Sequence, residues 1–495
     1  MLDDPLRSVA VVGGGIVAWS AAVAIRRRLP GVRVTLVATP PSPDALADRM
    51  ACTLPSAIGF HDDLGLGEDD AVVRAGSGWR LGTRFDGWAQ GSPPYVHAYG
   101  AYGQPFGTAS FHHHWVRAAR GGTAAPFDEH APSAMLARAG RIAPPDMEPG
   151  SPFAGVQAGL VLDLPRYEQM LRAFGRHLGL EVRDGEVREV RLRGADGFID
   201  ALLLGDGGMV EADLFVDATG PTATLRTAID AEWEDWSAWL RCDRIMQAEV
   251  PAGAVSPLDH VTALAAGWQW RVDAPGRVLH GICYASADLG DAEAADRLTE
   301  AGGVSTAETI CFRQGTRTDP WVRNCVAIGD AATVIEPLEW TNLHLAHSAI
   351  DRIIAMMPGR ACHPLETADY NRQTQAETTR VRDFVLCHYA VARRPEPFWQ
   401  IAADLPPSLE RTLRLFAERG RLPFFEEETF TRDSWLAVLL GQGMLPRQVD
   451  PLIDGTPPDR SDAAMAAYRA AIARSVAHFP TAADHMAAQS RRIVR

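Results

Sequence analysis

The chain of 495 residues contains no lysine: all 48 of its basic residues are arginine. Every mechanism that needs a side-chain amine is thereby excluded, whether a Schiff base or a phosphate-gripping P-loop lysine. Positive charge is also in the minority. Against 62 Asp and Glu, the arginines leave a formal net charge of −14. A chain of that sign is ill suited to tracking a nucleic-acid backbone, and it has no basic block to hold it on an anionic membrane. Cysteine is sparse, with seven residues at 52, 242, 283, 311, 325, 362 and 387 and no CxxC spacing. An odd, scattered set of this kind points to reduced, structural thiols and no metal site. No apolar run approaches the 18 or more residues of a membrane span, and no signal-peptide pattern precedes the run that starts at Val9. The expected location is the cytoplasm.

What is present begins with a βαβ pattern. Val9-Ala10-Val11-Val12 is a short apolar run suited to a buried parallel strand. Gly13-Gly14-Gly15 makes the turn. Residues 16–29 form an Ala-rich helix whose last turn carries three arginines against its negative dipole end, before Pro30-Gly31 stops it. Residues 32–37 (VRVTLV) read as the second strand. From about 40 to 150 the text is rich in Gly and Pro, as loops, short strands and a helix or two. Residues 160–178 look helical, with a start near Asp163-Leu164-Pro165. Residues 181–192 and 197–204 look like strands, and 214–217 and 325–328 are buried strands ending in turns. Helix dominates from 367 onward. The domain division expected is 1–365, a nucleotide-binding domain with an inserted sheet and loops, and 366–495, a helical region.

Gly13-x-Gly15-x-x-Ala18, after a strand and opening a helix, fits the dinucleotide fingerprint. The first glycine permits the tight turn, the second lets backbone amides approach a pyrophosphate, and the small third residue lets helix and strand pack closely. A merely structural Gly-rich turn is the alternative. One expected part is missing, since Ala38-Thr39 stands where an acid would hold a ribose hydroxyl. Val216-Asp217-Ala218-Thr219-Gly220 and Ala327-Ile328-Gly329-Asp330-Ala331 read as further strand ends returning to the same cofactor, or as two ordinary αβ turns. His112-His113-His114 invites a metal reading, but successive residues on a strand or loop point different ways. A packing or substrate-lining role is expected, with no metal.

Gly267-Trp268-Gln269-Trp270 resembles the GWxWxIP signature of the flavin-dependent tryptophan halogenases. Other blocks are similar in the same order: the glycine fingerprint, residues 78–85 (GWRLGTRF), 235–244 (DWSAWLRCDR), 324–329 (NCVAIG), 335–341 (IEPLEWT), 382–399 and 441–446. The likeness runs from about residue 8 to 480. It implies an α/β fold, namely an FAD/NAD(P)-binding, Rossmann-like flavoprotein-monooxygenase fold with an inserted substrate-domain sheet and a C-terminal helical layer. It also implies FAD supplied reduced by a separate flavin reductase, oxygen, and a halide (chloride or bromide) oxidised to hypohalous acid. In this family a lysine and a glutamate handle that acid beside an aromatic substrate.

Carried over residue by residue, the resemblance makes Glu339 the catalytic glutamate and puts Arg80 in the lysine's position. An arginine is always protonated near neutral pH, so it can donate hydrogen bonds but not act as an amine nucleophile. A structural cation paired with a nearby Asp or Glu is the alternative for Arg80. Thr341 and Asn342 stand where the halide would be held, and Trp340 replaces a serine that usually precedes them. Gly13, Gly15, Ala18, Val187, Gly329 and Asp330 form the implied cofactor set. His97, Tyr99, Trp268 and Trp270 form the substrate set, although the two tryptophans also suit a core. The loop usually reading GVGEATxP is here Asp48-Arg49-Met50-Ala51-Cys52-Thr53-Leu54-Pro55. The lid that clasps free tryptophan is shortened to residues 426–440, with Trp435.

The function these residues imply is a halogenase-like flavin oxidoreductase acting on an aromatic substrate, small or larger, other than free tryptophan. The alternatives are a non-catalytic partner subunit and a halide-independent flavin monooxygenase. The expected partners are the flavin reductase and the aromatic substrate, with a homodimer as a candidate assembly and neither nucleic acid nor membrane.

Overall fold

The computed structural model describes residues 4–67, 70–105, 107–144, 147–148, 150–302, 308–400, 404–424 and 428–493. The chain forms two compact units, each built from three separated segments: 1–77, 161–243 and 310–379 in the first, and 78–160, 244–309 and 380–495 in the second. The inserted sheet and the helices beyond residue 380 thus belong to the same unit. No helix among the described residues is long and apolar enough to cross a membrane.

The first unit is organised by the apolar runs read above. Ser8–Val12 is buried at every position and pairs in parallel with Arg33–Ala38 on one side and Leu214–Asp217 on the other. Cys325–Ala327 and Glu181–Asp184 extend the parallel sheet at its two sides, and Trp321–Val322 adds an antiparallel edge. Strands buried on both faces need continuous apolar sequence, which is why these runs do not alternate. The helix Ile16–Arg28 is buried from Ile16 to Ile25 and ends on Arg26, Arg27 and Arg28. It packs against Leu164–His177 and Asn342–Ala355.

The strand Leu214–Asp217 ends on a carboxylate that organises the turn after it. Asp217 accepts hydrogen bonds from the Thr219 amide and hydroxyl through Oδ1, and from the Leu225 and Arg226 amides through Oδ2. It thereby caps the helix Thr224–Ile229, whose first amides have no partner within the helix.

Three local expectations change. Residues 159–161, read as part of a helical stretch, form a strand, while the helix starts at Leu164 as expected, with Asp163 accepting from the Arg166 amide as its N-cap. Residues 181–192 are two strands in two sheets. Gly185, at φ +149, lets the chain turn from Glu181–Asp184 into Val187–Leu192, which pairs with Ile199–Leu204. The histidine run lies on the helix Phe111–Arg120, not on a strand or loop, and all three side chains are buried. One His112 ring nitrogen lies 2.9 Å from the Gly420 carbonyl, and burial pushes the His112 pKa down to about 3.

In the second unit a mainly antiparallel sheet runs in the order Arg244–Pro251, Arg277–Tyr284, Gly267–Ala274, Leu258–Leu264, Gly82–Asp86 and Tyr95–Ala98. Among these six strands only the contact between Leu258–Leu264 and Gly82–Asp86 is parallel. The helices Phe111–Arg120, Pro132–Arg138 and Arg432–Gly441 belong to this unit.

Candidate active site

The glycine turn of the first unit has the geometry of a dinucleotide cradle. Gly13 sits at φ +150, and a Cβ there would lie 2.3 Å from the Ala218 carbonyl oxygen. A Cβ on Gly14 would lie 1.7 Å from the Thr39 carbonyl oxygen. Both positions therefore demand glycine, while Ala18 is fully buried behind them. The strand Arg33–Ala38 leads into Thr39 with no acid at its end. The helix N-cap, Gly15, offers no side-chain cap of its own, so the first amides need an acceptor from elsewhere. Asp48 supplies it: its Oδ1 accepts from the Val17 amide at 2.8 Å. A Cβ on Gly15 would lie 2.2 Å from the Asp48 carboxyl carbon. The residues fit the pyrophosphate of FAD, and a carboxylate is the stand-in anion in its place.

Asp330, from the Gly329-Asp330 turn, reaches the same segment. It accepts from the Ala47 amide, at 3.1 Å for the nearer oxygen. Gly329 is in the left-handed region at φ +56, where a Cβ would lie 3.1 Å from Val17. Burial raises the Asp330 pKa, and the charge of Asp48 raises it further, to about 8. Burial also raises Asp48, to about 6, against the pull of hydrogen bonds from the Val17 and Ile16 amides. Val187 lies apart from this group. It is partly buried and packs on the core formed by Ala10, Val12, Val37, Phe215 and their neighbours.

Glu339, Thr341 and Asn342 are also in the first unit, at the start of the helix Asn342–Ala355. All three are buried, Glu339 at 1% exposure. Thr341 is the N-cap but makes no side-chain cap. Thr341 Oγ1 and Asn342 Oδ1 find no hydrogen-bond partner among the described residues, while Asn342 Nδ2 donates to the Ile335 carbonyl. Between Glu339 and Thr341, Trp340 is held at φ +57 and is itself buried. A tryptophan in the left-handed region is strained by roughly 1–3 kcal/mol, so the surrounding structure must impose it. Gln314 fixes the same segment four residues earlier, at Glu336. Its side-chain amide donates to Glu336, Leu240 and Cys242, and its oxygen accepts from the Glu336 amide.

Arg80 is in the second unit and has no solvent exposure. Its Nε donates to Asp259 Oδ2 at 2.7 Å, and Asp259 is equally buried. Nη1 donates to the Tyr99 hydroxyl, and Nη2 to the Thr83 hydroxyl at 3.0 Å. The sheet explains the cluster: Thr83 is registered between Asp259 on one neighbouring strand and His97 on the other. Arg80 leads into the strand of Thr83, and Tyr99 follows that of His97. His97 is buried, its ring 5.5 Å from Phe384 and 6.2 Å from Tyr99.

Trp268 and Trp270 share one buried face of Gly267–Ala274, with ring centroids 5.3 Å apart. The space for Trp270 comes from its cross-strand partner Gly281, where a Cβ would lie 1.8 Å from the indole. Of the shortened lid, 426 and 427 lie outside the described residues. Trp435 is buried on Arg432–Gly441, edge-on to Phe384 at 5.1 Å.

Sequence reading missed Asp48, Asp259 and Gln314 as site residues. Asp259 carried a usable signal. It occupies the same inward face as Val261 and Ala263 in an alternating strand, and an inward acid requires a partner.

The matches to known proteins agree along the chain. The family model described as tryptophan halogenase matches residues 8–458. Tryptophan 7-halogenase RebH of Lentzea aerocolonigenes is 26% identical, over 92% of this chain and 93% of that protein. Among solved structures, BrvH, a flavin-dependent halogenase from Brevundimonas sp. BAL3, superposes with a TM-score of 0.92 at 34% identity, covering 98% of this chain and 99% of that one. Xcc4156, a flavin-dependent halogenase from Xanthomonas campestris, gives 0.92 at 30% identity, with 98% of each chain covered.

Two predictions come from this geometry. Arg80→Met strands the Asp259 carboxylate in the interior and should cost about 3 kcal/mol or more, seen as a lowered thermal midpoint. Arg80→Met with Asp259→Leu should recover most of that loss, and a double variant melting lower than the single contradicts a paired, buried charge. The second concerns pH. Asp330 has a folded pKa above its ordinary value, so the folded protein keeps a proton that the unfolded chain has released. Its contribution therefore falls as pH rises from about 4 to about 8. Asp330→Asn keeps an acceptor for the Ala47 amide and cannot ionise. Its thermal midpoint relative to the parent should rise across that window, and a difference constant with pH contradicts the assignment.

Proposed function

This chain belongs to the tryptophan halogenase family, whose flavin-dependent halogenases work with FAD, a separate flavin reductase and a halide, and on that premise we propose that it uses reduced FAD and oxygen to halogenate an aromatic substrate other than free tryptophan, with Arg80 in the position of the family's lysine. The observation that carries the reading is the buried group of Glu339, Thr341 and Asn342 at a helix N-terminus. The first-turn amides and the positive end of the dipole suit a halide. Glu339 sits one strained residue away, where a desolvated carboxylate suits proton transfer.

FAD, when bound and reduced, would activate oxygen, and the oxygen would supply the oxidising equivalents that make a halide electrophilic. The chain's own residues do the rest. Glu339 takes the proton that the arene carbon loses on substitution. Arg80 carries no halogen, because a guanidinium is not an amine nucleophile, and its Nε and both Nη atoms are engaged with Asp259, Tyr99 and Thr83. It is a positioning residue that fixes Tyr99, and through the sheet His97, as parts of the substrate wall. The family resemblance gives Trp268 and Trp270 the role of keeping substrate from the flavin. Trp340 beside Glu339, with Trp435 packed on Phe384, supports a substrate other than free tryptophan.

A second reading, a halide-independent flavin oxygenase, is favoured by the engagement of Arg80, since the family's amine chemistry has no substitute there. The test supplies the protein with FAD, a flavin reductase, NADH, oxygen and bromide against a panel of electron-rich arenes, with product masses read for bromine. Brominated product is expected, with Glu339→Gln slower by about 100-fold or more. Oxygenated product at a rate indifferent to bromide selects the second reading. No product from either class while FAD is bound overturns both.

A further inference from the structure

The Asp48 carboxylate lies where the second glycine of a dinucleotide turn leaves room. Gly15 has no Cβ, and the Asp48 carboxyl carbon and both oxygens fall 2.2 to 2.4 Å from where one would be. Oδ1 takes the Val17 amide at 2.8 Å. Those amides, at the positive end of a 13-residue helix buried over ten positions, form the strongest anion seat of this turn. The segment bearing Asp48 is short, the four-residue helix Leu46–Arg49. It is fastened from the far side, where Asp330 accepts from the Ala47 amide. The charges facing Asp48 are mostly acidic. Asp330 and Glu168 both act on it or are acted on by it. Glu168 is paired with Arg172, and the neighbouring Arg49 donates to the Pro43 carbonyl.

We infer that Asp48 is a built-in competitor for the pyrophosphate of FAD: it caps the helix Ile16–Arg28 when the seat holds no phosphate, and it must leave the Gly15–Val17 amides for the cofactor to bind. The inference rests on the reading of this chain as an FAD protein. Two anions cannot share one set of amides in a partly buried site, so whatever free energy the Asp48 contact contributes is subtracted from cofactor affinity. The same segment in the resembling loop begins with glycine, which offers no such competitor. Asp48 therefore makes FAD binding weaker here than the cradle alone would give. Its exchange with the cofactor ties the conformation of residues 46–49, and the hold of Asp330 on them, to FAD occupancy.

The test measures the dissociation constant of oxidised FAD, by flavin fluorescence or calorimetry, for the full chain and for Asp48→Asn and Asp48→Ala, with the thermal midpoint of each without FAD. Asp48→Ala should bind FAD about tenfold more tightly, equivalent to about 1.4 kcal/mol. Without FAD it should melt lower, because the cap on the Val17 amide is gone. Asp48→Asn keeps a neutral acceptor, so it should melt close to the parent and still bind FAD more tightly. Opposite signs for stability and affinity in the Ala variant are what a purely structural cap would not produce. Unchanged or weakened FAD binding in both variants overturns the inference while leaving the FAD reading intact. No FAD binding by any of the three proteins overturns the FAD reading, and the inference with it.

Discussion

The first turn of an α-helix carries backbone amides that no residue of the helix can satisfy, and the cofactor-side unit of this protein buries two such ends. The helix Ile16–Arg28 begins after a triple-glycine turn with no side-chain cap. The helix Asn342–Ala355, which packs against it, begins at a threonine that makes none either. Buried donors need acceptors, and at the first end an anion supplies one. Asp48 occupies the first end. At the second, Glu339 stands two residues before Thr341, and two buried oxygens without partners among the described residues mark the helix start. An enzyme that must bind a pyrophosphate and a halide can find both seats in this one property of helix ends.

The absence of lysine acts on the second unit. A lysine amine could shuttle between proton-bearing and halogen-bearing forms, whereas a guanidinium is permanently charged and needs a permanent counter-charge when buried. Asp259 is that counter-charge, on the adjacent strand and equally buried. Charge that is fixed and neutralised in this way shapes a wall well and exchanges nothing. In the proposed function, chemistry therefore falls to Glu339, to the helix-end amides and to the flavin. Trp340, one of four non-glycine residues with positive φ among the described residues, stands next in the chain to Glu339.

Much of the architecture was legible in the amino-acid sequence because its causes are local. The strand Ser8–Val12, the glycine turn, the helix with its arginine end and the second strand follow from apolar run length, φ requirements and dipole complementarity over some 30 residues. The boundaries that shifted did so for equally local reasons, such as the left-handed Gly185 that splits residues 181–192 into two sheets. The partners of the site were a different matter. Asp48 meets Val17 across 31 residues of chain, and Asp259 meets Arg80 across 179. Only the fold brings these pairs together. The family resemblance could place Arg80 in a position of interest, and its charge could pose a salt bridge as one alternative. Neither could name the acid.

The central claim is that the amides at Gly15–Val17 form an anion seat which Asp48 holds in trust for a phosphate group. The most direct measurement is a crystal structure of the protein with FAD bound. The account predicts the pyrophosphate on those amides and the Asp48 carboxylate withdrawn from the Val17 N–H. A bound FAD whose pyrophosphate lies elsewhere, with the 2.8 Å contact between Asp48 and Val17 intact, would contradict it.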